Sequence, residues 1–91
     1  MHIIMVKKRL SDGRDCDKCA RAEELLRAQG VWDCIHEIVW ALEGDPQSPG
    51  IVIANRHNID AAPFFIVQDG AGRQELHTSV LKFIKELVAL Q

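Results

Sequence analysis

A chain of 91 residues is the size of one small domain and too short for two ordinary cores. Eleven basic against thirteen acidic side chains give a net charge of −2, so no basic surface can neutralise many phosphates, and nucleic-acid binding as the main task is excluded. No apolar run approaches the roughly 20 residues that span a bilayer, which argues against a membrane protein. In Met1 to Leu10 the charges follow the apolar run, the reverse of a secretory signal, so a cytoplasmic location is the expectation.

The consecutive Ile3, Ile4, Met5 and Val6 predict a strand from His2 to Lys8 that is covered on both faces. Ser11 to Asp15 has turn chemistry. A helix is expected from Cys16 to Gln29, with Cys19, Ala22, Leu25 and Leu26 as its apolar stripe, Glu23 and Arg27 as an i,i+4 pair, and Gly30 at the C′ position. Val31 to Val39 reads as a second strand on its β-branched content, and as a sheet edge. Strand, helix and strand so close in sequence make a βαβ unit with parallel pairing.

Ala41 to Ser48 reads as a loop. Ser48 and Pro49 then predict an N-cap followed by a proline at N1, opening a short helix to about Asn58. Pro63 to Gln68 is a buried strand, Asp69 to Gly72 a hairpin turn, and Arg73 to His77 an edge strand pairing back. Thr78 is the expected cap of a last helix whose stripe is Val80, Phe83, Ile84, Leu87 and Val88. The order β-α-β-α-β-β-α describes one domain over residues 1–91: a three-layer α/β/α sandwich around a four-stranded mixed sheet.

Three cysteines cannot build a disulfide scaffold, and Cys16 and Cys19 form a C-x-x-C. In a cytosolic chain this spacing suggests redox chemistry or half of a metal site. The chain resembles the glutaredoxin/thioredoxin superfamily over essentially its whole length. The likeness rests on Cys16-Asp17-Lys18-Cys19 opening a helix after a buried strand, on Ala62-Pro63 opening a later buried strand, and on the hairpin and terminal helix. It implies a thioredoxin-like fold, a cis Ala62–Pro63 bond facing the dithiol, and dithiol–disulfide oxidoreductase activity. It also implies that the backbone of Ala62 pairs with an extended substrate segment. The dipeptide Asp17-Lys18 and the stretch His77-Thr78-Ser79 both depart from the usual patterns of the two subfamilies.

Redox chemistry here needs a thiolate, and a helix N-terminus at Cys16 places backbone N–H groups and a partial positive charge beside the sulfur. Arg14 and Lys18 favour the negative sulfur while Asp15 and Asp17 oppose it, so moderate activation is expected. Cys16 is the expected nucleophile and Cys19 the resolving thiol, with Lys18, Arg14, Ala62 and Pro63 as substrate-binding residues. A disulfide-bearing protein is the expected substrate. Glutathione or a thioredoxin-reductase-type enzyme is the expected reductant, with no resident cofactor and no metal. The alternative is a non-enzymatic thioredoxin-fold interaction or metal-binding module, for which Cys34 and His36 would be the further ligands. Otherwise Cys34, Trp32 and Trp40 read as packing residues and the four histidines as ordinary surface or strand-edge residues. Lys7, Lys8 and Arg9 read as a solvated strand end, or as cations near the dithiol that steer an acidic partner.

Overall fold

The computed structural model describes residues 1–91. The elements run β1 (His2–Arg9), α1 (Asp17–Ala28), β2 (Glu37–Leu42), α2 (Pro49–Arg56), β3 (Phe64–Gln68), β4 (Gln74–His77) and α3 (Val80–Ala89). The sheet order is β2-β1-β3-β4, with β1 parallel to β2 and β3 antiparallel to both β1 and β4. No helix is long and apolar enough to cross a membrane.

The alternation along β1 divides the core into two layers. Ile3 and Met5 join Phe65, Ala22 and Leu26 of α1, and Phe83, Ile84 and Leu87 of α3. Ile4 and Val6 face the other way, joining Phe64, Ile66 and Ala41, with Ile51, Ile53 and Ala54 of α2 packed on them. Helices α1 and α3 therefore cover one face and α2 the other, as the expected three-layer sandwich requires. Helix α1 ends at Gly30, whose φ of +73° is a left-handed conformation that a residue with a Cβ adopts only under strain.

Three local expectations need correction. The second strand is not Val31 to Val39 but Glu37 to Leu42, so Ala41 and Leu42 belong to the sheet and not to a loop. After Gly30, Val31 is drawn fully into the core and Trp32–Cys34 tighten into a 3₁₀ turn, so the β-branched residues there serve packing before pairing begins. The ladder starts only once the His36 N–H donates to the Ile3 carbonyl and the His36 Nδ1 accepts from the Ile3 N–H, both at 2.9 Å. The last helix is capped by Ser79 and not Thr78: its Oγ accepts from the Lys82 N–H. Ser48 does occupy the N-cap of α2, but its hydroxyl bonds across to strand β2. It accepts from the Leu42 N–H at 3.0 Å and donates to the Asp45 carbonyl at 2.8 Å.

Helix α2 is held against β2 by a close backbone approach. A Cβ placed on Gly50 falls under 3.0 Å from backbone atoms of Trp40 and Ala41, which cannot rotate aside as a side chain can. Gly50→Ala gains up to about 1 kcal/mol in helix propensity but must push α2 off the sheet, an overpacking cost of roughly 1–3 kcal/mol at the upper end for backbone atoms. The expected outcome is a net loss of about 2 kcal/mol. It is read as a lower urea midpoint at unchanged m value.

Candidate functional site

The carboxyl end of β1 organises the region around the two cysteines. Leu10 to Asp15 forms a closed turn: Leu10 N–H donates to the Arg14 carbonyl at 2.7 Å, and the Arg9–Asp15 pair makes an isolated bridge. This turn delivers Cys16 back to β1, where its N–H donates to the Lys8 carbonyl at 3.0 Å. Cys16 is the N-cap of α1, with its sulfur accepting from the Cys19 N–H at 3.3 Å. One turn on, Cys19 is completely buried, and its sulfur accepts from the Lys8 N–H at 3.2 Å. A single strand residue, Lys8, thus bonds both cysteines through its backbone.

The two sulfurs lie 2.7 Å apart, with both cysteines free. That is about 0.7 Å beyond the roughly 2.05 Å of a covalent bond, so only a small motion of the first helical turn separates them from bonding distance when a disulfide oxidant takes up their two electrons. Cys16 is half-buried and reachable, whereas Cys19 is not. Burial, and then the bond to the Cys16 sulfur, push the Cys19 thiol up to about 12, against the opposing pull of the Lys8 N–H and the Lys7 charge. Cys19 is therefore protonated at neutral pH. An accessible sulfur at a helix N-terminus beside a buried protonated one is an asymmetric dithiol.

Lys7 lies near the dithiol, as one of the two readings of Lys7 to Arg9 has it, but buried and paired and not as a steering cation. It continues the register of Ile3 and Met5, so its side chain enters the α1 face and is only 3% exposed. Its ammonium meets Asp15 at 2.6 Å and Glu23 at 2.9 Å, and sits 4.8 Å from the ring centre of Trp40, its cross-strand partner. Burial alone would lower the ammonium's pKa, but the bonds to Asp15 and Glu23 outweigh it and the net shift is upward. Lys7 holds Glu23 below the usual carboxylate range, with Arg27 assisting against burial. Of the run Lys7 to Arg9, then, only part is a solvated strand end: Lys8 and Arg9 are half-exposed, with Arg9 stacked on Trp40 at 3.8 Å.

The remaining predicted residues separate. Lys18, Ala62 and Pro63 line one groove together, and the Ala62–Pro63 bond is cis. Arg14 does not line it; its Nε pairs with Asp12 at 2.7 Å on the exposed turn. Cys34 packs half-buried against the core, and His36 bonds β1, so neither forms a ligand set with Cys16 and Cys19. Trp32 likewise packs on the core, beneath the Arg27 guanidinium. His77 is more than a plain strand-edge residue: Glu75 at 3.1 Å and Glu86 at 3.6 Å face its two different ring nitrogens. This cluster ties α3 to β4 and brings one ligand atom from each of Glu75, His77 and Glu86 within 4.8 Å of the others.

Among solved structures the fold is similar to the solution structure of a thioredoxin from Thermus thermophilus. The TM-score is 0.55 at 20% sequence identity, over 98% of this chain and 73% of that one. No protein-family model and no curated protein matches the chain. The chain thus has the thioredoxin-like fold that the resemblance implied, with Cys16 and Cys19 close together in it.

Lys7→Met tests the buried cluster. It leaves Asp15 and Glu23, each more than two-thirds buried, without their shared cation. Between the small value of a surface pair and the 3–5 kcal/mol of a fully buried one, the expected loss is about 2–3 kcal/mol. For a domain this size that is a fall of roughly 10–20 °C in Tm. A glutamate held below its ordinary 4.5 stabilises the fold above that pH and loses this as pH falls through its folded value. A lysine held above its ordinary 10.5 stabilises the fold below that pH and loses this as pH rises through its folded value. Tm of the unaltered protein should therefore be flat from about pH 5 to 10 as far as this cluster governs it, and fall on both sides. Thermal melts across pH should find the variant's deficit largest inside that window.

Proposed function

We propose that this protein is a small dithiol–disulfide oxidoreductase that reduces protein or low-molecular-weight disulfides through Cys16 and Cys19. The observation that carries the reading is the asymmetric pair: an accessible helix-capping sulfur 2.7 Å from a buried, protonated one. The thioredoxin-like fold supports it.

Cys16 attacks as the thiolate, because it is the sulfur a substrate can reach and the helix N-terminus favours negative charge there. The substrate disulfide breaks, one substrate sulfur leaves as thiolate, and the other is bonded to Cys16. Cys19 then gives its proton to the departing thiolate and attacks the Cys16 sulfur. The mixed disulfide breaks, the second substrate sulfur leaves reduced, and the Cys16–Cys19 disulfide forms. Two electrons have passed from the dithiol to the substrate. The Lys8 N–H and the Lys7 ammonium both favour the Cys19 thiolate at that step, against its burial.

Lys18, Ala62 and Pro63 line the groove that receives the substrate segment, Ala62 through its backbone; Arg14, paired with Asp12, takes a peripheral part. Glutathione or a reductase-type enzyme resets the dithiol, with no resident cofactor. Such a cycle belongs to a reducing compartment such as the cytoplasm.

Cys16→Ser should abolish disulfide reduction, while Cys19→Ser should retain the first attack and accumulate a mixed disulfide visible by mass spectrometry. In glutathione buffers of graded poise, the unaltered protein should form the Cys16–Cys19 disulfide reversibly, with a midpoint between about −270 and −180 mV. A pair that stays reduced throughout, or full activity in Cys16→Ser, would sink the proposal in favour of an interaction or metal-binding module.

A further inference from the structure

The face formed by α1 and α3 carries an apolar channel. It begins at the groove where Lys18 and Arg21 stand over Leu25, Ala62, Pro63 and Leu81, with a volume of about 470 Å³. It continues between the same Leu25 and Leu81 to Val88 and Lys85, in a further hollow of about 410 Å³. Leu25, Leu81 and Val88 are 38%, 64% and 41% exposed, three of the seven large apolar side chains left in water. Exposed apolar side chains that adjoin one another along a channel mark a contact surface more often than scattered ones do.

The charge around this channel is one-sided. The chain as a whole is acidic, yet no carboxylate lines either part of it. Asp17 and Glu24, the closest acids along α1, lie outside the lining. The cations present are Lys18, Arg21 and Lys85, and none of them has an ion-pair partner. Arg56, Arg73 and Lys82 are also unpaired but lie outside the channel, and Lys7, Lys8, Arg9, Arg14 and Arg27 are all paired. Lys18 lies in the first turn of the helix that Cys16 caps, so this end of the channel is within one helical turn of Cys16, which does not itself line it.

We infer that the channel receives a polypeptide segment that is apolar and bears acidic side chains next to its cysteine. This deepens, and rests on, the proposed oxidoreductase reading: it assigns the substrate class as acidic–apolar segments of disulfide-bearing proteins. The apolar side chains lie along Leu25, Leu81 and Val88, and the acidic ones meet Lys18 and Arg21. Cations at such an exposed rim act mainly on encounter rate and partner choice, and their effect is screened by salt.

The test uses two peptide disulfides of the same apolar sequence, one with glutamates and one with lysines flanking the cysteine. At low salt the acidic peptide should be reduced with a kcat/KM about tenfold higher, the size expected of two rim cations acting together. The preference should shrink at high salt and reverse in the Lys18→Glu/Arg21→Glu double variant. A second arm replaces the peptide cysteines by serine and follows amide shifts in the unaltered protein. The acidic peptide should move Lys18, Arg21, Leu25 and Leu81, and the basic one should not. Equal kcat/KM for both peptides, or equal shifts, overturns the inference and leaves the oxidoreductase reading standing. If a small uncharged disulfide is not reduced either, that reading fails, while the serine peptides still decide what the channel binds.

Discussion

The burial of Lys7 at the end of β1 is the constraint around which the dithiol region is arranged. A lysine at a position in phase with Ile3 and Met5 must go inward, and an ammonium left unpaired there would be costly. Asp15 and Glu23 meet it from opposite sides in sequence: one closes the turn before Cys16, the other projects from the second turn of α1. The same ion cluster therefore anchors both ends of the segment that holds the two cysteines. The next residue, Lys8, completes the arrangement with its backbone, accepting from the Cys16 N–H and donating to the Cys19 sulfur. Side chain of one residue and main chain of the next tie helix and strand together, which allows the first helical turn to be set against the sheet without a proline in the C-x-x-C.

This anchoring also explains why the two thiols differ. Both belong to one short segment, yet one caps the helix at the surface and the other falls on its inward stripe with Ala22 and Leu26. Burial opposes ionisation of Cys19, while the Lys8 N–H and the positive charge of Lys7 pull the other way. The cluster is thus more than packing. It places a fixed positive charge behind the buried sulfur.

Much of the fold could be read from periodicity and caps. The four apolar residues of β1, the helix opening at Cys16 with Gly30 ending it, and the PFFIVQ strand each carry a strong local signal that tertiary packing did not oppose. Strand β2 was misplaced because Val31 and Ile35 have β propensity yet sit in and beside a 3₁₀ turn that feeds the core. Glu37 to Leu42 contains Glu37 and Trp40, which hide its alternation. The choice of Ser79 over Thr78 as cap turned on one residue of helix phase. The burial of Lys7 escaped because hydropathy assigns any lysine to the surface. Its period-2 register with Ile3 and Met5, together with carboxylates at Asp15 and Glu23, was the signal that pointed inward.

The placement of charge connects the buried cluster with the apolar face. Asp15 and Glu23 are turned toward Lys7, and Asp12 and Glu43 toward Arg14, Ser11 and Lys8. With these carboxylates engaged around the β1 turn, Lys18 and Arg21 stand without partners on the flank of α1 that adjoins Ala62 and Pro63. An acidic protein can therefore present a locally positive, apolar-floored channel within one helical turn of its accessible thiol. Net charge predicts solubility and long-range repulsion; it does not predict this surface. The local potential depends on where the fold places its charges as well as on which it pairs: Asp17 and Glu24 are unpaired but lie outside the channel lining, whereas Lys18 and Arg21 line it.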